Sequence, residues 1–450
     1  MYINSNNEDC IHKMKTVVGI ILTMLLFIGN CCALTLDEAI KEAVDNNYII
    51  KQRIERIYSS AEEKKIARSL LLPKLSSSYS YQRLKEKPYA IFDNPFSPGN
   101  RYKVRTGDRD RSYWDIAITQ PIFTGFSLIT RHRIAGLGVD LRKTYRDEAV
   151  LDIVRDVKVS YFQVLLSKRY LDIAKEEVSQ LRSHFKDAEG FFKQGMIPYN
   201  DLLKSKVALA QAEQNLVKAR SSVKVAISRL NTILEKDIDE KTRIQDIRSF
   251  EPVSYRLDPL YDKALQRRPE IRALKIAIKQ ARQRIRLARS GYYPQVYLFA
   301  RYEQMGNDID ATDNDYGNSH NASIGLQAKW NIFEWGKTRA EVNKAFHEYE
   351  AVSYELRKAE DNIKLEVKRA FERLKVARQN LVTAKTALTQ AEENYRITNL
   401  RYQQNLTTST EVLDARTFLT QAEVNYYDAL YGYMIAKAEL ERAIGEGWKR

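Results

Sequence analysis

Over its second third and again near its end, this chain carries apolar positions at helical spacing in stretches much longer than a globular helix, and the pattern repeats itself 210 residues on. Val157-Lys158 falls on Val367-Lys368, Tyr161 on Phe371, and Ala174-Lys175 on Ala384-Lys385. Phe192–Asn215 falls on Tyr402–Asn425 with 7 identities in 24 positions and no gap. Each copy holds a breaker, Gly195 or Asn405, then Pro198 or Thr407-Thr408-Ser409, then an unbroken helical pattern. A helix therefore arrives, turns sharply, and a second helix leaves. Lys337 to Gln404 reads as one helix of 68 residues, ~100 Å at 1.5 Å per residue. After the first turn Leu202, Leu209, Leu216, Val223 and Leu230 recur every seven residues. After the second turn Val412, Leu419, Tyr426, Tyr433 and Leu440 do so, beside a small seam of Ala415, Ala422, Ala429, Ala436 and Ala443. A strict seven-residue repeat predicts helices packed side by side as a coiled coil.

The front of each half reads differently. Thr35 is placed as an N-cap, with Asp37 and Glu38 in the first turn. Helical spacing then runs towards Leu70–Leu72, and Pro73 stops it. Asp258-Pro259-Leu260 opens the matching helix, which ends near Tyr292-Tyr293-Pro294. After each proline the period changes to two, predicting strands at 76–82, 113–119, 295–303 and 322–331. Val296, Leu298, Ile324, Leu326 and Trp330 share an apolar face, and Gln327 and Lys329 stand on the opposite one. The connections 83–111 and 305–321 are polar and rich in Asn, Asp, Gly and Pro. Four strands are too few for a closed barrel, and an open edge is prohibitive in lipid. The strands therefore belong either to a soluble sheet or to a barrel completed by other subunits, and periodicity leaves both open.

Composition narrows this picture. At 450 residues two or three structural units are expected. The chain is 44% hydrophobic and 29% charged, and beyond the first thirty residues no apolar run reaches the eighteen or so of a spanning helix. The net charge of +15 is spread along helices among Asp and Glu, so it forms no stripe for nucleic acid. Residues 1–33 read as an export signal, with Lys13 and Lys15 before the apolar run Val17–Ile28. All three cysteines, Cys10, Cys31 and Cys32, lie within it, so a chain cleaved after Ala33 has no thiol chemistry. The five histidines are scattered, and no metal spacing, phosphate loop or nucleophile motif is present. No catalytic, cofactor or metal residue is assigned. The repeats divide the remainder at 34–250 and 251–450, and the fold class is mainly α with a small β part.

The motifs then converge. Leu34-Thr35-Leu36-Asp37-Glu38-Ala39-Ile40 opens the mature chain. Pro121-Ile122-Phe123-Thr124-Gly125 follows the second strand, Phe192-Lys193-Gln194-Gly195 marks the first turn, and Glu411-Val412-Leu413-Asp414-Ala415 follows the second. In these the chain resembles the TolC-like family of outer-membrane efflux proteins. The resemblance implies a homotrimer whose strands close a twelve-stranded outer-membrane β-barrel, continued by a periplasmic α-helical tunnel. It implies a periplasmic adaptor (membrane-fusion) protein and an inner-membrane pump of RND, ABC or MFS type as partners, with outer-membrane lipid around the barrel. It places Gly195 and Asn405 at hairpin tips facing the adaptor, and Asp201 and Tyr402 as an aperture lock, with Thr407 where the family's second lock has arginine. It likens Glu235–Tyr255 to the family's equatorial segment. Glu411 and Asp414, three residues apart and so on one helix face, lie beside the second turn where a tunnel would narrow. The resemblance likewise makes them the constriction. Thr408-x-x-Glu411 is also a capping box. A periplasmic coiled-coil structural or adaptor protein without a barrel is the rival reading.

Overall fold

The computed structural model describes residues 33–93, 95–247 and 253–447. The expected export segment up to residue 32, its three cysteines, and the repeat boundary at 250/251 lie outside the described residues. The elements in order are α1 (Leu36–Asn46), α2 (Tyr48–Ser69), β1 (Lys74–Arg83), β2 (Tyr89–Asp93), β3 (Arg101–Arg105), β4 (Asp110–Thr124), α3 (Ser127–Lys193) and α4 (Tyr199–Leu234). The second half gives α5 (Leu257–Arg267), α6 (Pro269–Arg289), β5 (Gln295–Gly306), β6 (His320–Lys329), α7 (Lys337–Gln403) and α8 (Ser409–Ala443). Two helices, a hairpin, a long helix and a shorter helix thus recur in the same order. The long helices α3 and α7 are 67 residues each.

Two compact units divide the chain, residues 1–51, 148–268 and 363–450 in one, and 52–147 and 269–362 in the other. Each repeat feeds both units.

The first unit holds a helical core. Thr35 caps α1 in a full capping box with Glu38. The continuous helix expected as far as Leu70–Leu72 breaks at Asn47. The Asn47 side chain accepts from Ile49 N–H (2.9 Å) and donates to the Ile233 carbonyl (3.1 Å), which gives the chain a local alternative to the helical bond. The second expected helix breaks in the same way at Arg268, before Pro269. Leu34 pairs with Ile244 in an isolated parallel bridge. The buried Tyr161 hydroxyl donates to the carbonyls of both Leu34 (2.9 Å) and Gln245 (2.6 Å). Burial pushes this phenol up to about 12. The Asn231 amide donates to the carbonyls of Asp237 (3.2 Å) and Glu240 (2.8 Å), folding the segment after α4. In α8 the large and small seams are buried at Val412, Ala415, Leu419, Ala422, Tyr433, Ala436, Leu440 and Ala443. The corresponding seam of α4 is only partly buried, and Val207, Val217 and Val225 are about two-thirds exposed, at 70%, 65% and 66%.

The second unit holds the sheet. Its strand order is β1-β4-β5-β6, every pair antiparallel, with β1 and β6 as outer edges. The register aligns Leu75 with Ile118, Ile118 with Ala300, and Ala300 with Ile324. Gln120, Leu298 and Leu326 form the next row. Directly paired residues share a face, so one apolar face runs across all four strands. The other face carries Asp115, Arg301, Glu303, Asn321 and Gln327. There the Tyr113 hydroxyl donates to the Glu303 carboxylate (3.1 Å) and Ser78 donates to Asp115. Gly325 makes room for Phe299, whose Cζ would lie 2.7 Å from a Cβ at that position. Pro121 sits past the end of the β1–β4 pairing, next to a bulge between Pro121 and Phe123, where it removes no needed donor.

Three expectations on the strands are corrected. β1, β4 and β5 are longer than their alternating cores, whereas β6 keeps ten residues and is shifted two towards its start. The connection 83–111 contains the separate hairpin β2–β3, with Phe92 and Tyr102 stacked at 5.9 Å. Trp330 lies just beyond β6, where its indole donates to the Tyr292 carbonyl (3.2 Å). Each β-to-α junction turns through two consecutive left-handed residues, Gly125-Phe126 and Trp335-Gly336.

Candidate functional site

The two helical turns are built alike. Gly195 has φ +74° and Asn405 φ +60°. Met196 N–H bonds Phe191 O and Gly195 N–H bonds Phe192 O, both at 2.9 Å. Leu406 N–H bonds Arg401 O (2.8 Å) and Asn405 N–H bonds Tyr402 O (2.9 Å). This is the Schellman arrangement, which uses up the last carbonyls of α3 and α7 and requires a left-handed residue. Asparagine is the side chain that tolerates this conformation best after glycine.

The outgoing helices start differently. Pro198 gives α4 no side-chain cap. Thr408 caps α8 by accepting from Glu411 N–H (3.4 Å), and the Glu411 carboxylate accepts from the Thr407 hydroxyl. Glu411 therefore serves its own first turn. Glu411 and Asp414 are both exposed in the single chain, so both carboxylates are available at the surface.

Asp201 and Tyr402 share no hydrogen bond. Tyr402 is 2% exposed, its ring 4.8 Å from that of His184 and 5.6 Å from that of Phe191. Burial raises its phenol above the usual range. The Asp201 carboxylate instead meets Lys204 Nζ at 3.4 Å, and Lys204 also donates to Thr410 (3.2 Å). Ring packing draws the tyrosine inward, and a lysine one turn away takes the carboxylate.

Two features escaped the sequence reading. His184 Nε2 lies 2.8 Å from Ser409 Oγ, and Ser409 Oγ lies 3.2 Å from Ser205 Oγ, all three residues being buried. With Tyr402, this cluster ties α3, α4, α7 and α8 together near the turns. No short-range signal joins residues 184 and 409.

The second is Arg416, a guanidinium 2% exposed, over the Tyr395 ring at 5.6 Å and 3.5 Å from the Glu423 carboxylate. Burial raises the Glu423 carboxyl, Arg416 opposes this, and Glu176, Glu392 and Glu177 add to the rise. Arg416 stands four residues after Val412 and three before Leu419, so it leaves the helix beside the large seam. That spacing was the available signal.

A family model described as outer membrane efflux protein matches residues 39–235 and 260–446. The alkaline protease secretion protein AprF of Pseudomonas aeruginosa is 24% identical over 342 residues, 74% of this chain and 68% of that protein. The outer membrane protein TolC of Vibrio cholerae is 25% identical over 304 residues, 65% of this chain and 67% of that protein. The fold superposes on the Campylobacter jejuni CmeC outer membrane channel with a TM-score of 0.77 at 18% identity, over 92% of this chain and 86% of that one. For the outer membrane protein VceC of Vibrio cholerae the TM-score is 0.73 at 16% identity, over 92% of this chain and 97% of that one. Paired helical hairpins, a four-stranded sheet with one apolar face, and a family match over both repeats agree, and the chain belongs to the outer membrane efflux protein family.

Proposed function

We propose that three copies of this outer-membrane protein join their sheets edge to edge, β1 of one against β6 of the next, into a twelve-stranded barrel. The observation that carries this is the apolar face running across all four strands between two unpaired edges. In lipid each orphaned edge N–H or C=O costs several kcal/mol, so such a sheet needs closure. The half-exposed seam and valines of α4 supply apolar helix surface for the same neighbours.

The chain is a passive exit duct of an efflux or secretion system. Its fold neighbours include proteins described as outer membrane channels. Cargo reaches it from an inner-membrane pump through a periplasmic adaptor, which meets the turns at Gly195 and Asn405. Three copies of Glu411 and Asp414 form a cation-attracting ring in the aperture. Closure there rests on the packing of Tyr402 rather than on an Asp201–Tyr402 bond.

Light scattering of the purified protein tests the assembly. A detergent-requiring trimer is expected. A water-soluble monomer would overturn the barrel and favour a periplasmic coiled-coil adaptor.

A further inference from the structure

The cluster at the turns contains one imidazole, a group whose ordinary value of 6.5 lies near neutrality. His184 is 4% exposed, with its Nε2 committed to Ser409. Among the described residues its Nδ1 and the Tyr402 hydroxyl are buried without a hydrogen-bond partner of normal geometry. Ser205, itself fully buried, ties the cluster onward by donating to the Asp201 carbonyl (3.0 Å). One imidazole thus touches the first residue of α8 through Ser409 and the last turn of α7 through Tyr402.

We propose that His184 is the positioning residue of the aperture: its neutral ring keeps Tyr402 and Ser409 packed, and its protonation releases the turns. This rests on the reading of the turns as the closable end of the duct. The second proton would sit on Nδ1, which faces no acceptor, and a buried donor left unmatched is unfavourable. The charge would also be buried. The carboxylate bearing on it is that of Asp187 on α3 itself; Asp201 on α4 bears instead on the neutral Tyr402 of α7, and α8 presents the uncharged Ser409. Only Asp187 favours the cation, and burial outweighs it, so the ring titrates below its ordinary value of 6.5. A histidine lowered in the packed state leaves that state at full stability above about pH 6.5 and weakens it as pH falls. Acid therefore opens the turns.

The test is single-channel recording of the full protein in planar bilayers at about pH 7.5 and about pH 5. The wild type should open about threefold or more often in acid. His184→Gln can still bond Ser409 but cannot titrate. Its opening should be the same at the two pH values. An unchanged acid response in His184→Gln overturns the proposal and leaves the duct reading intact. A wild type that never conducts overturns the aperture reading on which the proposal rests. Deuterium exchange at the ring C2 carbon reads His184 without any channel. Titration below 6.5 is expected, and titration at or above that value contradicts the proposal.

Discussion

Asn405 stands in the second helical turn where Gly195 stands in the first, and both hold the left-handed backbone, at φ +60° and +74°. The repeats have diverged in sequence at this point and kept the conformation. Asn405→Gly should leave stability unchanged or raise it by a few tenths of a kcal/mol, roughly. Asn405→Val should cost about 1–2 kcal/mol, because a branched Cβ meets the following carbonyl. Thermal unfolding followed by circular dichroism measures both. Equal stability of the two variants would mean that the turn relaxes out of its left-handed form.

The sheet predicts opposite results at neighbouring positions. Leu326 is 70% exposed on the apolar face, opposite Leu298. Leu326→Lys should impair assembly by roughly 2–4 kcal/mol if it stands near the bilayer midplane. Gln327→Leu, on the other face, should assemble normally. Urea titration of the inserted protein separates the two, and the reverse order would exchange the faces.

Tyr161 fastens the segment that leads into α1. Tyr161→Phe removes the hydroxyl that reaches the Gln245 carbonyl and supplements the Gln245 N–H on the Leu34 carbonyl, and should cost about 1–2 kcal/mol. The phenol is raised in the fold, so its contribution is complete below its ordinary value of 10 and is lost as pH rises towards about 12. Limited proteolysis near residue 34 should therefore quicken in alkali for the wild type and already be fast at neutral pH in the variant. Identical cleavage of both proteins would show that Leu34 is held by other contacts.

Arg416 and Glu423 form a partly satisfied buried pair. Glu423→Gln removes the carboxylate that faces the buried Arg416 guanidinium at 3.5 Å, and should destabilise by about 3 kcal/mol. Joint replacement by Met and Leu should be neutral or stabilising, since the stem space is kept and no charge stays buried. Chemical denaturation of the single and double variants decides this. A double variant weaker than Glu423→Gln would mean that the charges bind something more than each other.

The proposed ring of carboxylates is tested by ion selectivity. Replacing Glu411 and Asp414 together by Ala should abolish cation preference and block by multivalent cations added at the turn side. An unchanged reversal potential under a salt gradient would place both outside the ion path.

Much of the fold was legible because it is periodic and duplicated. The heptads of α8, the breakers at Gly195 and Asn405 and the alternation in β5 and β6 each repeat a local rule, and local rules survive in sequence. What was missed depends on distance. Asn47 interrupts a helical pattern without changing its spacing, since its side chain reaches Ile233 far along the chain. The strands β2 and β3 are five residues each, too short for alternation to stand out among charges. Arg416 has the composition of a surface residue and the spacing of a core one. Asp201 and Tyr402 were paired by resemblance, but Phe191 and His184 decide where the tyrosine ring goes.

The central claim is that this chain forms a water-filled duct through the outer membrane. Conductance of the purified, detergent-solubilised full protein in a planar lipid bilayer tests it most directly. Discrete, long-lived, cation-preferring steps are predicted. Helical, folded protein that leaves the bilayer electrically silent at every protein concentration and pH would contradict it.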